Sequence, residues 1–315
     1  MPAFKKYIEP FLQKPILLLM AGFFLLAVLT FGVMRKQRYP AYLFAADTYH
    51  GVERSIRKVR ASFDSFDYGA GTPKTVTRAQ VSEVDGMTML YIPAGEFTMG
   101  SDEHAPKTTP EHRVNLDAYW IDRTEVTNQM YARCVKAGDC DHPIQFDEVN
   151  PYYDHLEYAN YPVVYVSWKS AAKYCKWAGR RLPTEAEWEK AARGTDGNPY
   201  PWGNQEPDSS LLNYQDNIGG PLPVDRYPLG ASPYGALNMA GNVREWVQDW
   251  FSPGYYAKWK YYTNPTGPKH GTSRSLRGGG FQDTAQQVFT YNRFAHDPLS
   301  AGIDRGFRCA LSAEE

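Results

Sequence analysis

Hydrophobic residues first form an unbroken run from Pro15 to Met34, in which no charged residue occurs. At about 1.5 Å of rise per residue, a helix over this run is long enough to cross the roughly 30 Å core of a bilayer. A cleaved signal peptide is the alternative, but the run is long, it follows a lead of residues 1–14, and no small-residue cleavage site comes after it. The sequence therefore predicts a transmembrane helix at residues 15–34.

The hydrophobic pattern then changes to spacings of three and four residues over residues 41–65, which is typical of an amphipathic helix. We predict a stalk helix whose apolar stripe packs on a partner or on a second copy of the chain. The alternatives are a helix packed on its own globular domain and a solvated spacer close to the membrane. Residues 66–85 contain Gly, Pro, Thr and Ser and are predicted to form a linker. The candidate partner-binding positions on the stripe are Tyr49, Val52, Ile56, Val59 and Phe63.

From residue 86 onward, the pattern predicts short strands mixed with capped helices. Two strand pairs come first, the first of them around a Pro-Ala-Gly turn, and a helix follows Thr127. Two more helices are predicted to begin after Ser167 and at the capping box of Thr184. Short strands and long loops make up the rest, so the fold class predicted for the domain at 86–315 is α+β and loop-rich.

Composition and charge exclude several classes of function. The 34 Lys+Arg residues nearly balance the 35 Asp+Glu residues, and no basic stripe with stacking aromatic residues occurs, so nucleic acid is not expected as a partner. The "RGGG" segment at 277–280 has neither the lysine of a P-loop nor GxGxxG spacing, so a nucleotide is not expected either. With 23 Tyr, 15 Phe, 8 Trp, 26 Gly and 23 Pro, the composition indicates a compact domain with many loops.

The four cysteines form no CxxC metal pair, and an even number favours two disulfides in an oxidising compartment. Cys134 and Cys140 flank a short turn and are placed to close a small loop, which leaves Cys175 and Cys309. Four free thiols in a cytosolic protein are the alternative. Because basic residues flank the apolar run on both sides, the expected disulfides decide the orientation: N-terminus cytoplasmic, C-terminal domain periplasmic or extracellular.

Seven motifs occur in order along the domain and together identify a resemblance. They are "GEFTMGS", "YWIDRTEVTNQMYARCV", "YPVVYVSWKSAAKYCKWAGRRLPTEAEWEKAARG", "YPWGN", "YGALNMAGNVREWVQDW", "LRGGGF" and "RGFRCA". Over roughly residues 86–312 they resemble the formylglycine-generating enzyme, or sulfatase-modifying factor, family. The resemblance implies a variant of the C-type lectin fold, with a small twisted antiparallel sheet, two main helices and extensive loops. It also implies that Cys175 pairs with Cys309.

The resemblance further implies a structural calcium site in "NMAGNVREW". The ligands carried over are the side chains of Asn238 and Glu245 and the carbonyls of Gly241 and Val243, which are hard oxygen donors of the kind that Ca²⁺ prefers. The alternative is a capped turn in which Glu245 pairs with an arginine and Trp246 belongs to the core.

A second, weaker calcium site is implied at Asn213, Tyr214 and Asp216. The acidic loop that completes this site in relatives is shortened here. Asp216 is therefore expected to be a poor substitute for the missing ligands.

The catalytic thiols of the family have no counterpart in this sequence. Formylglycine generators use two cysteines to bind copper and to oxidise a substrate cysteine, because soft thiolates suit Cu(I). The resemblance places these cysteines at Asp283 and Val288, so we predict no catalytic residue and no copper. A metal or acid–base site built from Asp283 and His296 is an alternative, although ordinary polar loop residues are favoured.

Aromatic residues are concentrated between Trp250 and Pro265. Tyr and Trp are frequent in protein interfaces, so Tyr255, Tyr256 and Trp259 are candidate partner-binding residues. The alternative is that these rings pack onto a small core.

Three classes of function follow. The leading one is a membrane-anchored, extracytoplasmic domain without catalysis, which acts as an accessory or binding subunit of a membrane-associated protein complex. The alternatives are a metal-dependent oxidase of the wider family with different chemistry, and a lectin-like receptor for a ligand or glycan. Membership of the family does not decide between them, because one fold carries many functions.

Overall fold

The structure, a computed structural model, describes residues 78–103, 106–143, 152–258 and 261–313. The predicted membrane span at 15–34 and the predicted stalk at 41–65 lie outside these residues. Within the described part of the chain, none of the helices has both the length and the apolar character needed to cross a bilayer.

Eleven short strands and three helices make up the regular structure of the described residues. The strands are β1 (Ala79–Val81), β2 (Thr88–Ile92), β3 (Gly95–Met99), β4 (His112–Leu116), β5 (Tyr119–Asp122), β6 (Arg244–Trp250), β7 (Tyr261–Thr263), β8 (Arg274–Arg277), β9 (Phe294–His296), β10 (Arg305–Phe307) and β11 (Ala310–Ser312). The helices are α1 (Asn128–Lys136), α2 (Trp168–Trp177) and α3 (Glu185–Arg193). The predicted α+β class is confirmed.

The strands form three sheets, with the orders β1-β2-β5-β11, β10-β6-β8-β9 and β3-β4-β7. The first is antiparallel throughout. The other two each contain one parallel pair, β10 with β6 and β4 with β7. The expectation of a small antiparallel sheet is therefore corrected, because long excursions of the chain, rather than hairpins, bring these strands together.

Local signals predicted the helix ends correctly. The side chain of Thr127 caps α1 and that of Ser167 caps α2. At α3, Thr184 and Glu187 form the predicted capping box, and Gly194 ends the helix. Each cap satisfies backbone N–H groups that have no partner within the helix, which is why these residue types recur at helix ends.

The domain begins before the predicted boundary at Gly86. Strand β1, within the segment predicted as linker, pairs with β2 from Ala79 to Val81. Asp85 is buried, ion-paired with Arg180, and accepts a hydrogen bond of 2.7 Å from the hydroxyl of Tyr174. These contacts could not be predicted from the local composition, because the partners of Asp85 lie about ninety residues further along the chain.

Helix α3 is buried on every side, including its charged residues. Arg293 ion-pairs with Glu185 at 2.8 Å, and Arg193 ion-pairs with Glu189 at 3.0 Å. Arg277 also pairs with Glu189. An unpaired buried charge is costly, so these ion pairs are what allows a charged helix to lie in the interior. They also connect α3 to β8 and to the segment before β9.

Candidate functional site

The glycine run after β8 forms a tight turn that faces the predicted active-site segment. Gly278 and Gly279 have φ angles of +88° and +73°, which L-residues rarely adopt. A Cβ atom at Gly279 would lie 2.9 Å from Cγ1 of Val288 and 3.1 Å from the carbonyl oxygen of Gln287. The glycines thus allow close backbone approach rather than phosphate binding.

Asp283 is buried, and both oxygens of its carboxylate accept hydrogen bonds from other residues of the chain. Its Oδ2 atom accepts hydrogen bonds from Nε of Arg244 at 2.8 Å and from the backbone N–H of Gly280 at 2.7 Å, and its Oδ1 accepts from Nη2 of Arg244 at 2.5 Å. Nη1 of Arg244 donates to Asp304 at 2.8 Å. The arrangement is a carboxylate–guanidinium–carboxylate bridge that closes the turn.

Val288 is fully buried in an aromatic cluster that includes Tyr200, Phe289 and Tyr291. The ring of Phe289 stacks on Tyr291 and on Tyr200, with centroids 5.0 Å apart in both cases. A valine in this place fills volume in the core and presents no reactive atom.

All four cysteines are paired, as predicted. Cys134 bonds to Cys140 with an S–S distance of 1.96 Å, and Cys175 bonds to Cys309 at 2.01 Å. The second bond joins α2 to the segment between β10 and β11, across 134 residues of sequence. The alternative of four free thiols is wrong.

Asp283 and His296 do not form the alternative acid–base pair. Asp283 is bound by Arg244, whereas Nε2 of His296 lies 3.1 Å from Nη2 of Arg305, which donates to it. Burial lowers the pKa of His296, and the charge of Arg305 lowers it further. A neutral imidazole that accepts a hydrogen bond from an arginine serves to orient that arginine.

The turn predicted to bind calcium is built around a buried acid that the sequence analysis missed, Glu125. Nδ2 of Asn238 and Nδ2 of Asn242 each donate to a different oxygen of Glu125, both at 2.8 Å. Burial raises the pKa of Glu125 to about 7; Arg308 opposes the shift, and the nearby Glu245 adds to it. Glu125 lies in the motif "DRTEVT", but nothing in the local pattern indicated that its side chain points inward.

The carboxylate of Glu245 is paired with an arginine and is therefore not free to bind calcium. Its oxygens accept hydrogen bonds from Nε of Arg308 at 2.6 Å, from Nη2 of Arg308 at 2.7 Å and from Nε1 of Trp188 at 2.8 Å. Trp246 beside it is fully buried in the core, as is Val243. The side chain of Glu245 therefore does not fit the predicted ligand role, because a cation would have to approach it beside a guanidinium.

The second predicted calcium segment packs directly against the first. The carbonyl oxygen of Asn213 would lie 2.3 Å from a Cβ atom at Gly241, which has a φ angle of +75°, and it accepts a hydrogen bond from the backbone N–H of Asn242 at 2.9 Å. Oδ1 of Asn213 is buried and accepts no hydrogen bond within the described residues. Such an orphaned oxygen fits a cation or a water molecule, and it makes Asn213 the better ligand of the two segments.

The other two residues of this segment contribute less. Asp216 is exposed, with a φ angle of +55°, and its backbone N–H donates to Phe281 at 2.7 Å. The hydroxyl of Tyr214 donates to the carbonyl of Pro207 at 2.9 Å. Within the described residues, no three His, Cys, Asp or Glu side chains gather as a metal-binding group. Calcium therefore stays a prediction that rests on oxygen donors of amide and backbone groups.

The predicted aromatic partner surface is partly wrong. Tyr256 is 2% exposed. The centroid of its ring lies 4.6 Å from the ring centroid of His112 and 4.2 Å from Cζ of Arg293. Tyr255 is half-buried and accepts a hydrogen bond at its carbonyl from Tyr262. Trp259 and the five stripe residues between Tyr49 and Phe63 lie outside the described residues.

Comparison with known proteins places this geometry in a family. Residues 73–313 match the sulfatase-modifying factor enzyme 1-like domain. The formylglycine-generating enzyme of Mus musculus is 32% identical over 280 residues, which cover 70% of this chain and 74% of that enzyme.

A second relative shares the domain within a longer protein. The serine/threonine-protein kinase Pkn1 of Chlamydia trachomatis is 35% identical over 236 residues, which cover 70% of this chain. The match spans 38% of the length of that kinase. The similarity therefore concerns one part of the kinase, and its activity does not follow for this chain.

A solved structure supports the fold. Treponema denticola variable protein 1 superposes with a TM-score of 0.64 at 23% identity, covering 76% of this chain and all of that one. At this identity the likeness shows a common fold and nothing about function.

Proposed function

The chain belongs to the sulfatase-modifying factor enzyme 1-like family, and on that premise we propose that it is a non-catalytic member, an accessory or binding subunit of a membrane-associated protein complex. The observation that carries the proposal is the state of Asp283 and Val288. The first is held in an ion pair with Arg244, and the second is fully buried in the core. Neither group can act as the thiolate that copper-dependent oxidation of a cysteine needs.

The cysteines support the same proposal. Both pairs are disulfides, so the chain has no thiolate to offer unless one of these bonds is reduced. Cys309 follows Arg308, whose guanidinium is bound to Glu245, so releasing Cys309 would disturb a buried ion pair. The disulfides therefore have structural roles in this proposal.

The proposal also includes a location. Two disulfides support an oxidising compartment, and the apolar run at 15–34 supplies the anchor. The domain then lies outside the cytoplasm, with the stripe of the stalk at 41–65 as the contact to a partner or to a second copy.

An activity assay tests the non-catalytic part of the proposal. The purified full chain is incubated with Cu(I), oxygen and a cysteine-containing peptide, beside a formylglycine-generating relative as the positive control. Mass spectrometry of the peptide is expected to show formylglycine with the relative and unchanged cysteine with this chain. Formylglycine formed by this chain at a rate comparable to that of the relative would refute the proposal.

A further inference from the structure

Lys107 is a half-buried cation that has no anionic partner in the part of the chain that the structure describes. Each fully buried arginine near α3 and Glu245 has a carboxylate within ion-pair distance. Lys107 lies in a short 3-10 turn, Pro106–Thr108, and its Nζ atom sits 4.8 Å from the ring centroid of Phe294. Within the described residues, Nζ has no ion pair and no hydrogen bond. The Nζ atom is not fully buried and reaches solvent, so an anion from outside the domain can approach it. Its partly desolvated positive charge favours such an anion.

Three arginines each act on the charge of Lys107 more strongly than the nearby carboxylate of Asp283 does. Burial lowers the pKa of Lys107, and the charges of Arg293, Arg277 and Arg244 lower it further, with Asp283 opposing them. Asp283 does not neutralise Lys107, because its oxygens are already bound by Arg244 and by a backbone N–H group. The guanidinium of Arg244 lies 4.6 Å from the same Phe294 ring.

Phe294 begins a strand with an open edge. Strand β9 is the last in the order β10-β6-β8-β9, and among the described strands it pairs only with β8. No other hydrogen bond within the described residues involves the backbone of Phe294–His296. An open edge presents unpaired N–H and C=O groups, which an extended segment of another protein can pair with by adding a strand.

From these two features we propose that β9 binds an extended acidic segment of a partner protein, with one carboxylate of that segment paired to Lys107. The segment adds a strand beside Phe294–His296, and its acidic residue lies at the Phe294 end. Asp297 is exposed beyond the other end of β9 and would repel an acid there, so the charge fixes the register. The inference names a partner chemistry for the binding role proposed above and rests on that role.

The test uses the full chain in mild detergent and two terminally blocked, dye-labelled heptapeptides of alternating threonine and valine. One peptide has a central glutamate and the other a central glutamine. Fluorescence anisotropy is expected to show about fivefold tighter binding of the glutamate peptide, as for a half-buried ion pair worth about 1 kcal/mol. In Lys107→Gln the two peptides should bind equally, whereas Lys107→Arg and the exposed control Lys176→Gln should keep the preference.

Hydrogen exchange then locates the peptide. Bound glutamate peptide is expected to slow exchange of the amides of Phe294–His296. Equal affinities for the two peptides, or a preference that survives Lys107→Gln, would overturn the proposal. Chemical acetylation of Lys107 in the presence of either free acetate or the glutamate peptide gives a further control. If acetate at the same concentration protects Lys107 as well as the peptide does, the site binds any anion, and the proposal is overturned. If the peptides fail while the native chain still co-purifies with a membrane protein, this inference alone is wrong.

Discussion

The guanidinium of Arg244 binds the carboxylate of Asp283 through two hydrogen bonds, 2.8 Å from Nε and 2.5 Å from Nη2. This contact joins the start of β6 to the loop after β8 at a position where the family resemblance expects a reactive thiol. The loop thus carries a buried ion pair at this position.

Asp283→Asn should destabilise the domain because it leaves Arg244 with one carboxylate instead of two. We expect a loss of about 1–3 kcal/mol in the free energy of unfolding, measured by urea denaturation. Asp139→Asn is the matched control, because Asp139 is exposed and its side chain makes no hydrogen bond or ion pair within the described residues. Equal stability of the two variants would show that the ion pair contributes little.

The two disulfides should contribute unequally. Removing the Cys175–Cys309 bond by a double change to alanine should cost about 5 kcal/mol, because the bond closes a loop of 134 residues. Removing the Cys134–Cys140 bond, whose sequence separation is 6, should cost about 2 kcal/mol on the same chain-entropy argument. Calorimetry of both variants checks the order, and a larger effect of the short loop would contradict it.

Lys190 should make stability rise with pH. Its Nζ donates to the carbonyl oxygens of Pro93 and Gly95 at 2.8 and 2.9 Å, and burial lowers its pKa from 10.5 to about 8. Between these two values the unfolded state binds more protons than the folded state, so raising the pH favours folding. The stability of the unmodified protein relative to Lys190→Met should therefore increase from pH 8 to pH 10, as measured by urea denaturation at each pH. If the difference in stability between the two proteins does not change with pH, the pKa of Lys190 in the folded state is not lowered, which would contradict the prediction.

Calcium binding stays a prediction, and Asn213 offers the sharpest test of it. Chelation by EGTA should lower the melting temperature of the domain, and added calcium should restore it. The shift should shrink in Asn213→Ser, because the buried Oδ1 atom of Asn213 is lost as a ligand, but not in the exposed control Asn217→Ser. If EGTA leaves the melting temperature of the unmodified protein unchanged, the prediction of a calcium site is wrong.

Features decided by neighbouring residues could be predicted from the sequence. The caps at Thr127, Ser167 and Thr184 depend on bonds to backbone groups three residues away, so the local pattern contains them. The fold class followed from the same signals, and the motifs gave the family and the pairing of Cys175 with Cys309.

Features decided by distant residues could not be predicted. Glu245 meets Arg308 at a separation of 63 residues, and Asp85 meets Arg180 at a separation of 95. Composition suggested a linker at Asp85, and the tyrosine-rich segment suggested a surface at Tyr256. In both places burial is set by tertiary contacts, which no period or cap signal in the sequence encodes.

The proposed binding role is tested most directly by purifying the full chain in mild detergent from solubilised membranes of its native cells, followed by native mass spectrometry. We expect a membrane protein bound to the chain at a fixed ratio, and no copper in elemental analysis of the complex. A lone monomer that carries one equivalent of copper would contradict the claim that this family member works by binding rather than by catalysis.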